Sequence, residues 1–167
     1  MKTRAEVPSD WLAVHALNEA AFETSAEANL VDALRKLASP YISIVAEEDG
    51  AIVGHIMFTQ VALTGHPSLQ IMGLAPMAVA PEYQRRGIGS VLVHAGLEQC
   101  MHLGIGAVVV LGHPDYYPRF GFLPSARYGI SCEYDVPEEV FIALELQPNY
   151  LQDARGKIKF HAAFGNA

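Results

Sequence analysis

Two β-rich runs joined by the dipeptide Asp49-Gly50 constrain the fold of this chain more than any other feature of its sequence. The segment reads YISIVAEEDGAIVGHIMFTQVAL. A tight type I′ hairpin prefers Asp-Gly because both central residues of the turn need a positive φ. A looser turn at TGHPS leads to a further run, LQIMGLAPMAVAP, which ends at Pro81. The sequence therefore predicts three consecutive antiparallel strands.

Two helices are predicted before this hairpin. Ser9 can cap a first helix over residues 10–22, and Thr24 with Glu27 has the spacing of a capping box for a second helix that Pro40 ends. The apolar residues at helical spacing in the first helix are Trp11, Val14, Leu17, Ala21 and Phe22. Those in the second are Leu30, Val31, Leu34 and Leu37.

A third helix is predicted after QRRG, followed by a buried strand. The side chains expected to be buried are Ile88, Val91, Leu92 and Ala95. A second line of side chains recurs every four residues, and we interpret it as a solvated face rather than a Ser/His/Glu site: Ser90, His94, Glu98 and His102. The run AVVVL is typical of a strand buried on both faces, so helix and strand together predict a parallel crossover.

The order of elements predicts one domain over residues 1–167, of α+β or mixed α/β class. In the last part of the chain YYPRFGF is predicted to be extended, and VFIALELQ and KIKFHAAF are predicted to be strands. The apolar content of these late strands suggests a homodimer.

Composition excludes several classes of protein. A net charge of −7 argues against a nucleic-acid partner, because phosphate contacts usually require a basic face. No run approaches the roughly 18 apolar residues of a membrane span, and the N-terminus lacks an apolar secretory segment. The chain has only two cysteines, Cys100 and Cys132, without a C-x-x-C motif, and its seven histidines show no metal spacing. We therefore expect a cytoplasmic protein with no membrane partner and no metal.

The stretch VAPEYQRRGIGSVLVHAG, residues 79–96, contains a glycine turn that three known motifs fail to match. A dinucleotide fingerprint requires glycine where Leu92 stands, and a phosphate-binding Walker loop requires a lysine that is absent. A nucleophile elbow requires G-x-S-x-G, whereas Ser90 directly follows Gly89. The turn therefore belongs to none of these loops.

The physical properties of the turn still predict an anion site. A helix that begins here exposes backbone N–H groups and the positive end of its dipole, and Gly87 and Gly89 let an anion approach the backbone closely. Arg85 and Arg86 add guanidinium groups that can bind phosphate oxygens. We expect a phosphate or pyrophosphate here; the alternative is a glycine-eased helix start with two solvated arginines.

The pattern V-x-P-x-x-Q-R-R-G-I-G-S resembles the acyl-CoA-binding signature of the GNAT superfamily of N-acetyltransferases, whose core is Q/R-x-x-G-x-G/A between the fourth strand and the third helix. Gln84, Gly87 and Gly89 occupy the defining positions. The predicted order of elements agrees with that fold over roughly residues 1–146. The ending ELQPNYLQDARGKIKFHAAF further resembles the YhbS-like branch of predicted acetyltransferases.

The resemblance implies a mixed, mostly antiparallel central sheet flanked by helices, with one parallel strand pair at the acyl-CoA site. Acetyl-CoA would place its pyrophosphate on the N–H groups of Gln84, Arg85, Arg86, Gly87, Ile88, Gly89 and Ser90. Its pantetheine arm would pair with the strand residues Met77, Ala78 and Val79. The acyl group would enter a gap where this strand diverges from AVVVL.

Acyl transfer from a thioester to an amine expels a thiolate, so a proton donor near the sulfur assists the reaction. A tyrosine with a pKa near ~10 is protonated at neutral pH. The resemblance assigns the general acid to Tyr117, through the spacing Y-x-x-x-G-F, with Tyr116 as the alternative. The alternative interpretation is that Tyr117 has only a structural role, packing within an aromatic cluster. Pro118 disfavours helical geometry at Tyr117, so we expect a brief or irregular helix there.

The general base stays unassigned, because IMGLAPMAV contains no Asp or Glu. We interpret Glu47, Glu48 and Glu82 as solvated, and a water relay held by backbone carbonyls is an equal alternative.

These observations favour an N-acetyltransferase that moves an acetyl group directly from acetyl-CoA to a primary amine of a small molecule, peptide or protein. A non-catalytic acyl-CoA-binding sensor or interaction module is the alternative, motivated by the missing carboxylate and by Pro118. A nucleotide-binding domain is disfavoured by the failed fingerprints. No segment of the sequence specifies the acceptor amine.

Overall fold

A computed structural model describes residues 1–166 of the chain. In this range the helices are α1 (Trp11–Phe22), α2 (Ala26–Leu37) and α3 (Ile88–His102). The strands are β1 (Lys2–Ala5), β2 (Tyr41–Glu48), β3 (Ala51–Leu63), β4 (Ile71–Val79), β5 (Ala107–Leu111), β6 (Leu123–Pro124), β7 (Ile130–Cys132), β8 (Phe141–Glu145) and β9 (Gly156–Lys159). No helix in this part of the chain is both long enough and apolar enough to span a bilayer.

The central sheet has the strand order β1-β2-β3-β4-β5-β8-β6. Its neighbouring strands are antiparallel except β4 and β5, which pair in parallel from Ile71 with Ala107 to Gly73 with Val109. The predicted class and the parallel crossover through α3 are therefore confirmed. A parallel pair outside the central sheet, β7 with β9, joins the edge of β3 through β9.

The hairpin between β2 and β3 forms as predicted. Asp49 and Gly50 have φ values of 51° and 82°, the positive pair that a type I′ turn requires. The N-terminal strand β1, which pairs with β2, was not predicted. Its four residues, KTRA, carry no alternation of apolar and polar side chains, so the available edge of β2 determines their conformation.

The starts of the first two helices differ from the predictions. Residues Pro8–Asp10 form a 3₁₀ turn before α1, and the Asp10 carboxylate, not Ser9, accepts a bond from the N–H of Val7 at 2.8 Å. Ser25, one residue after Thr24, is the N-cap of α2 and makes no side-chain cap bond, so the expected capping box does not form.

The buried faces of the first two helices are narrower than the apolar stripes predicted. Trp11 is 43% exposed. Its ring lies at the surface, with the Arg35 guanidinium 4.9 Å from the ring centroid. Phe22 and Leu37 lie near the ends of their helices and are exposed as well. The buried residues of α1 are Val14, Leu17 and Asn18, and those of α2 are Ala28, Leu30, Val31 and Leu34.

Helix α3 packs on the sheet through a different stripe from the one predicted. Ile88 and Leu92 are buried, but Val91 is 40% exposed and Ala95 is partly exposed. The Phe58 ring occupies the space that a Cβ on Gly96 would take, so the side of α3 that carries Gly96 packs against the sheet. The full buried set is Ile88, Leu92, Val93, Gly96, Leu97 and Cys100.

The second line of side chains on α3, predicted to be a solvated face, is exposed at three of its four positions. His94, Glu98 and His102 are exposed, as expected for a solvated face, whereas Ser90 is partly buried.

Two late segments depart from the predicted conformations. YYPRFGF is not extended, because Tyr117–Phe120 form a 3₁₀ turn that holds Pro118 in its first turn, where proline's missing N–H costs nothing. KIKFHAAF is a strand only as far as Lys159, and Ala162–Asn166 form another 3₁₀ turn. VFIALELQ forms β8 as predicted.

Candidate active site

The strands β4 and β5 diverge at their carboxyl ends. Their pairing ends at Gly73 and Val109, although β4 continues for six more residues to Val79. Beyond Gly73, β4 pairs only with β3 on its other edge, through Met77 with Ile56 and Val79 with Gly54. The β5-facing edge of residues 77–79 is thereby left without a strand partner, at the place where the resemblance implied a pantetheine arm.

The first turn of α3 carries unpaired backbone donors. Gly87 is its N-cap, with φ of 83° and no side-chain cap bond, and the first intrahelical bond joins the N–H of Val91 to the carbonyl of Gly87 at 3.2 Å. The preceding N–H groups of Ile88, Gly89 and Ser90 therefore have no partner within the helix. Partial positive charge at this helix end favours an anion.

The loop before α3 is fixed to the end of β4. The side chain of Gln84 donates to the carbonyl of Val79 at 3.0 Å. The backbone N–H of Gln84 makes a long bond of 3.4 Å to the carbonyl of Pro81, so it is partly committed within the loop.

A cavity of about 350 Å³ lies in front of these donors. Its walls contain seven of the predicted binding residues: Val79, Gln84, Arg85, Gly87, Ile88, Gly89 and Ser90. They also contain Tyr83, Tyr116 and Arg119, which were not predicted to bind the anion. Arg119 lies 30 positions or more from the glycine turn, so no local sequence pattern joins them.

Three predicted binding residues lie outside these walls. The guanidinium of Arg86 stacks over the Tyr83 ring at 5.1 Å. Ala78 is buried on the opposite face of the sheet, beside Leu17. The Met77 side chain approaches the first turn of α3, where a Cβ on Gly89 would lie 3.6 Å from its Cε.

Tyr116 lies against the first turn of α3. Its hydroxyl is 3.0 Å from the Oγ of Ser90, within hydrogen-bond distance. Arg119 donates through Nε to the carbonyl of Tyr116 at 2.8 Å, and its guanidinium covers the Tyr116 ring at 4.4 Å. Tyr116 and Arg119 thus form one unit that lines the cavity beside the first turn of α3.

Tyr117 is directed into the core instead. It is 8% exposed, packs edge-on against Phe122 and Tyr116, and occupies the space that a Cβ on Gly112 would take. Burial, with a smaller contribution from Tyr116, raises the pKa of Tyr117 to about 12. The phenol therefore keeps its proton at neutral pH.

No carboxylate lines the cavity in front of α3. Glu47 pairs with Arg4 at 2.9 Å, Glu48 is partly exposed, and Glu82 is exposed on the outer side of the loop. Within residues 1–166 no group of three or more His, Cys, Asp or Glu side chains is arranged to hold a metal ion.

Neither cysteine is an activated nucleophile. Burial raises the pKa of Cys100 to about 12, and its sulfur lies 3.9 Å from that of Met72 in the core. Burial is also the main cause of the raised pKa of Cys132. Because the thiolate is the reactive form, both residues are unsuited to carry an acyl group.

Comparison with known proteins identifies clear relatives. Residues 11–122 match the Acetyltransferase (GNAT) family. The chain is 35% identical over 165 residues to the uncharacterized N-acetyltransferase YhbS of Escherichia coli K12, with 98% of each chain covered. It is 42% identical over 135 residues to the uncharacterized N-acetyltransferase YjhQ of the same organism, which covers 78% of this chain and 75% of that one.

Solved structures agree with these relationships. The crystal structure of E. coli YhbS in complex with CoA is similar with a TM-score of 0.92 and 34% identity, covering 98% of this chain and 91% of that one. A GNAT family acetyltransferase from Brucella melitensis in complex with acetyl-CoA has a TM-score of 0.81 and 35% identity, covering 98% and 97%. The E. coli ribosomal-protein-S18-alanine N-acetyltransferase, at 14% identity and a TM-score of 0.65, shares the fold.

Proposed function

The chain belongs to the GNAT family of acetyltransferases, and from this premise we propose that it transfers an acetyl group from acetyl-CoA to a primary amine of a small molecule, peptide or protein. It is an acetyl-CoA-dependent acyltransferase, as the resemblance of its glycine turn implied. The observation that carries the proposal is the cavity in front of the free N–H groups of α3, next to the gap between β4 and β5.

The cavity fits the pyrophosphate of acetyl-CoA. Three backbone donors at Ile88, Gly89 and Ser90 face one side, and Arg85 and Arg119 add two positive charges. The relatives crystallised with CoA and acetyl-CoA support this assignment. The pantetheine arm would then follow the unpaired edge of residues 77–79 towards the gap between the strands.

We assign Tyr117 the role of general acid. The amine nitrogen attacks the thioester carbonyl, the new C–N bond forms, the C–S bond breaks, and the Tyr117 hydroxyl gives its proton to the departing thiolate. The protonated amine loses one proton to water before attack, and the proton that the nitrogen loses after addition returns through water to the Tyr117 phenolate. A raised pKa favours this role because the phenol stays protonated at neutral pH.

Direct transfer is preferred to an acyl-enzyme route. An acyl-enzyme would need a nucleophile near the gap, and burial keeps both thiols protonated. The order of events is therefore binding of both substrates followed by one chemical step.

A non-catalytic acyl-CoA sensor is the second candidate. It is favoured by one observation, the lack of any carboxylate among the residues that line the cavity. Such a protein would bind CoA with the same loop but would release no thiol in the presence of amines.

Calorimetry with acetyl-CoA, followed by thiol-release assays on a panel of primary amines, tests the proposal. Binding and thiol release together support an acetyltransferase, whereas binding without release across the panel supports the sensor. Tight binding of ATP or NAD without binding of acetyl-CoA would contradict both.

We also propose a cytoplasmic location and a homodimer. Two free thiols in the described part of the chain suit a reducing compartment. The exposed edge strand β1 and the exposed side chains of Leu111 and Leu123 offer surfaces for self-association. Light scattering measures the mass in solution.

A further inference from the structure

A second cavity, of about 300 Å³, lies between the loop that precedes β8 and the strand β7. Residues between 126 and 141 line it, and they include the aromatic residues Tyr134 and Phe141 and the carboxylates of Asp135 and Glu138. Phe141 belongs to the apolar cluster on the sheet face opposite α3, together with Ile71 and Val109. The cavity is therefore on the other face of the sheet from the candidate CoA site.

Backbone pairing connects Phe141, which lines this cavity, to the end of β5, where Tyr117 packs. Phe141 pairs with Leu111, the last residue of β5, and the N–H of the next residue, Gly112, donates to the carbonyl of Val140 at 2.9 Å. The ring of Tyr117 packs against this same Gly112. One glycine thus separates the candidate general acid from the turn that carries Glu138.

Two aromatic residues that line the cavity, Tyr134 and Phe141, pack on Phe160, which lies outside its walls at the point where β4 and β5 diverge. Phe160 lies against Gly73, the last paired residue of β4, and a Cβ there would be 3.2 Å from its ring. Tyr134 stacks on Phe160 with ring centroids 5.7 Å apart. Phe141 packs edge-on against the same Phe160 ring, with centroids 6.4 Å apart. A CoA molecule bound beside α3 leaves this opposite side as the approach for a second substrate.

The rim of the cavity is acidic. Residues 133–139 read EYDVPEE, with four carboxylates and no basic side chain. Glu133 accepts the N–H of Phe160 at 2.6 Å, whereas Asp135 and Glu138 are exposed and make no ion pair or hydrogen bond within residues 1–166. Negative charge beside aromatic faces attracts a cation with an apolar body.

We propose that this cavity binds the acceptor, and that the acceptor is a small primary amine, cationic at neutral pH, with a compact aromatic or apolar body. The inference rests on the proposed acetyl transfer and names its acceptor class. About 300 Å³ is at the small end of ligand pockets, which favours a small molecule over a folded protein. Asp135 and Glu138 recognise the ammonium form, and the aromatic wall holds the body.

Acetylation of phenethylamine by the full-length protein tests the proposal against two comparison substrates. One is 4-(2-aminoethyl)benzoate, which has the same body with an added negative charge, and the other is a lysine-containing peptide with a blocked N-terminus. We expect kcat/KM for phenethylamine to exceed that for either comparison at least tenfold. The reverse preference overturns the proposal.

The double variant Asp135→Asn, Glu138→Gln removes the two charges on the rim. We expect kcat/KM for phenethylamine to fall at least tenfold, mainly through KM, while KM for acetyl-CoA is unchanged. Glu139→Gln is the matched control, because Glu139 is an exposed carboxylate of the same loop that does not line the cavity. Equal effects of the control and of the double variant overturn the proposal.

Calorimetry of phenethylamine binding tests the acceptor site separately from the proposed acetyltransferase activity. Weaker binding to the double variant than to Glu139→Gln supports the acceptor site whether or not transfer is seen. Binding of acetyl-CoA together with no binding or turnover of phenethylamine overturns the acceptor class alone. Failure to bind acetyl-CoA contradicts the acetyltransferase itself.

Discussion

The hydroxyl of Tyr116 lies 3.0 Å from the Oγ of Ser90, and this contact joins the first turn of α3 to the 3₁₀ turn after β5. The two residues are 26 positions apart in the sequence. Both residues line the cavity assigned to the pyrophosphate, so the bond joins two of the segments that form its walls.

A double-mutant cycle with Tyr116→Phe and Ser90→Ala measures this coupling. A partly buried hydrogen bond contributes about 0.5–1.5 kcal/mol to stability, and we expect a coupling free energy of that size from urea unfolding. With saturating CoA we expect the coupling to shrink, because a phosphate oxygen would take the Ser90 hydroxyl as a donor. Additive effects without CoA would show that the two hydroxyls do not interact.

Tyr117→Phe tests the general acid. The ring and its packing are kept while the proton is lost, so we expect kcat to fall by about 10²- to 10⁴-fold with the affinity for acetyl-CoA nearly unchanged. Tyr116→Phe is the matched control. A loss of kcat confined to Tyr116→Phe would assign the acid to Tyr116.

The raised pKa of Tyr117 gives a second test by pH. With a pKa near about 12 rather than 10, the phenol stays protonated throughout the range from pH 8 to 10. We therefore expect that kcat shows no loss from tyrosine ionisation in that range. A decrease in kcat centred near about pH 10, the ordinary pKa of tyrosine, and abolished in Tyr117→Phe, would contradict the burial of this hydroxyl.

Gly87→Ala tests the backbone of the anion loop. At φ of 83° an alanine is strained by about 1–2 kcal/mol, although nothing lies within 4 Å of the added Cβ. We expect lower stability and weaker binding of CoA, with partial recovery in Gly87→Asn because asparagine tolerates positive φ better. Equal losses for alanine and asparagine would indicate a steric cause in place of a conformational one.

His55 makes stability depend on pH. It is fully buried, its Nδ1 lies 3.5 Å from the amide nitrogen of Asn18, and its Nε2 lies 2.8 Å from the Oγ of Ser43. Burial, with a smaller contribution from Arg35, lowers the pKa of His55 to about 3. Between that value and the unfolded value near 6.5 only the unfolded chain binds the proton, so stability falls as pH falls through this window.

The expected contribution of His55 is up to about 1.4 kcal/mol per pH unit. Urea unfolding at pH 7, 6 and 5 should show a smaller loss of stability for His55→Gln than for the original chain. His102→Gln is the control, because the His102 side chain is 67% exposed. Parallel pH profiles for the original chain and for His55→Gln would exclude His55 as the cause.

Features with a local cause were predictable from the sequence. The Asp49-Gly50 hairpin follows from the φ values of two adjacent residues, and the start of α3 follows from Gly87 and Gly89. The capping of α1 and α2 was predicted wrongly, because Ser9, Thr24 and Ser25 all have suitable side chains and the packing of the helices selects the start.

The sequence by itself determined the three antiparallel strands β2, β3 and β4, the parallel crossover through α3 and the glycine turn at its start, because hydrophobic periodicity and positive φ act over a few residues. Only the tertiary structure decided that Tyr116 and Arg119 line the cavity in front of α3, that Tyr117 is buried, and that Tyr134, Asp135, Glu138 and Phe141 line a second cavity. The contact between Tyr116 and Ser90 joins segments 26 positions apart, and the geometry of all three features depends on how α3 and the late strands pack on the two faces of one sheet.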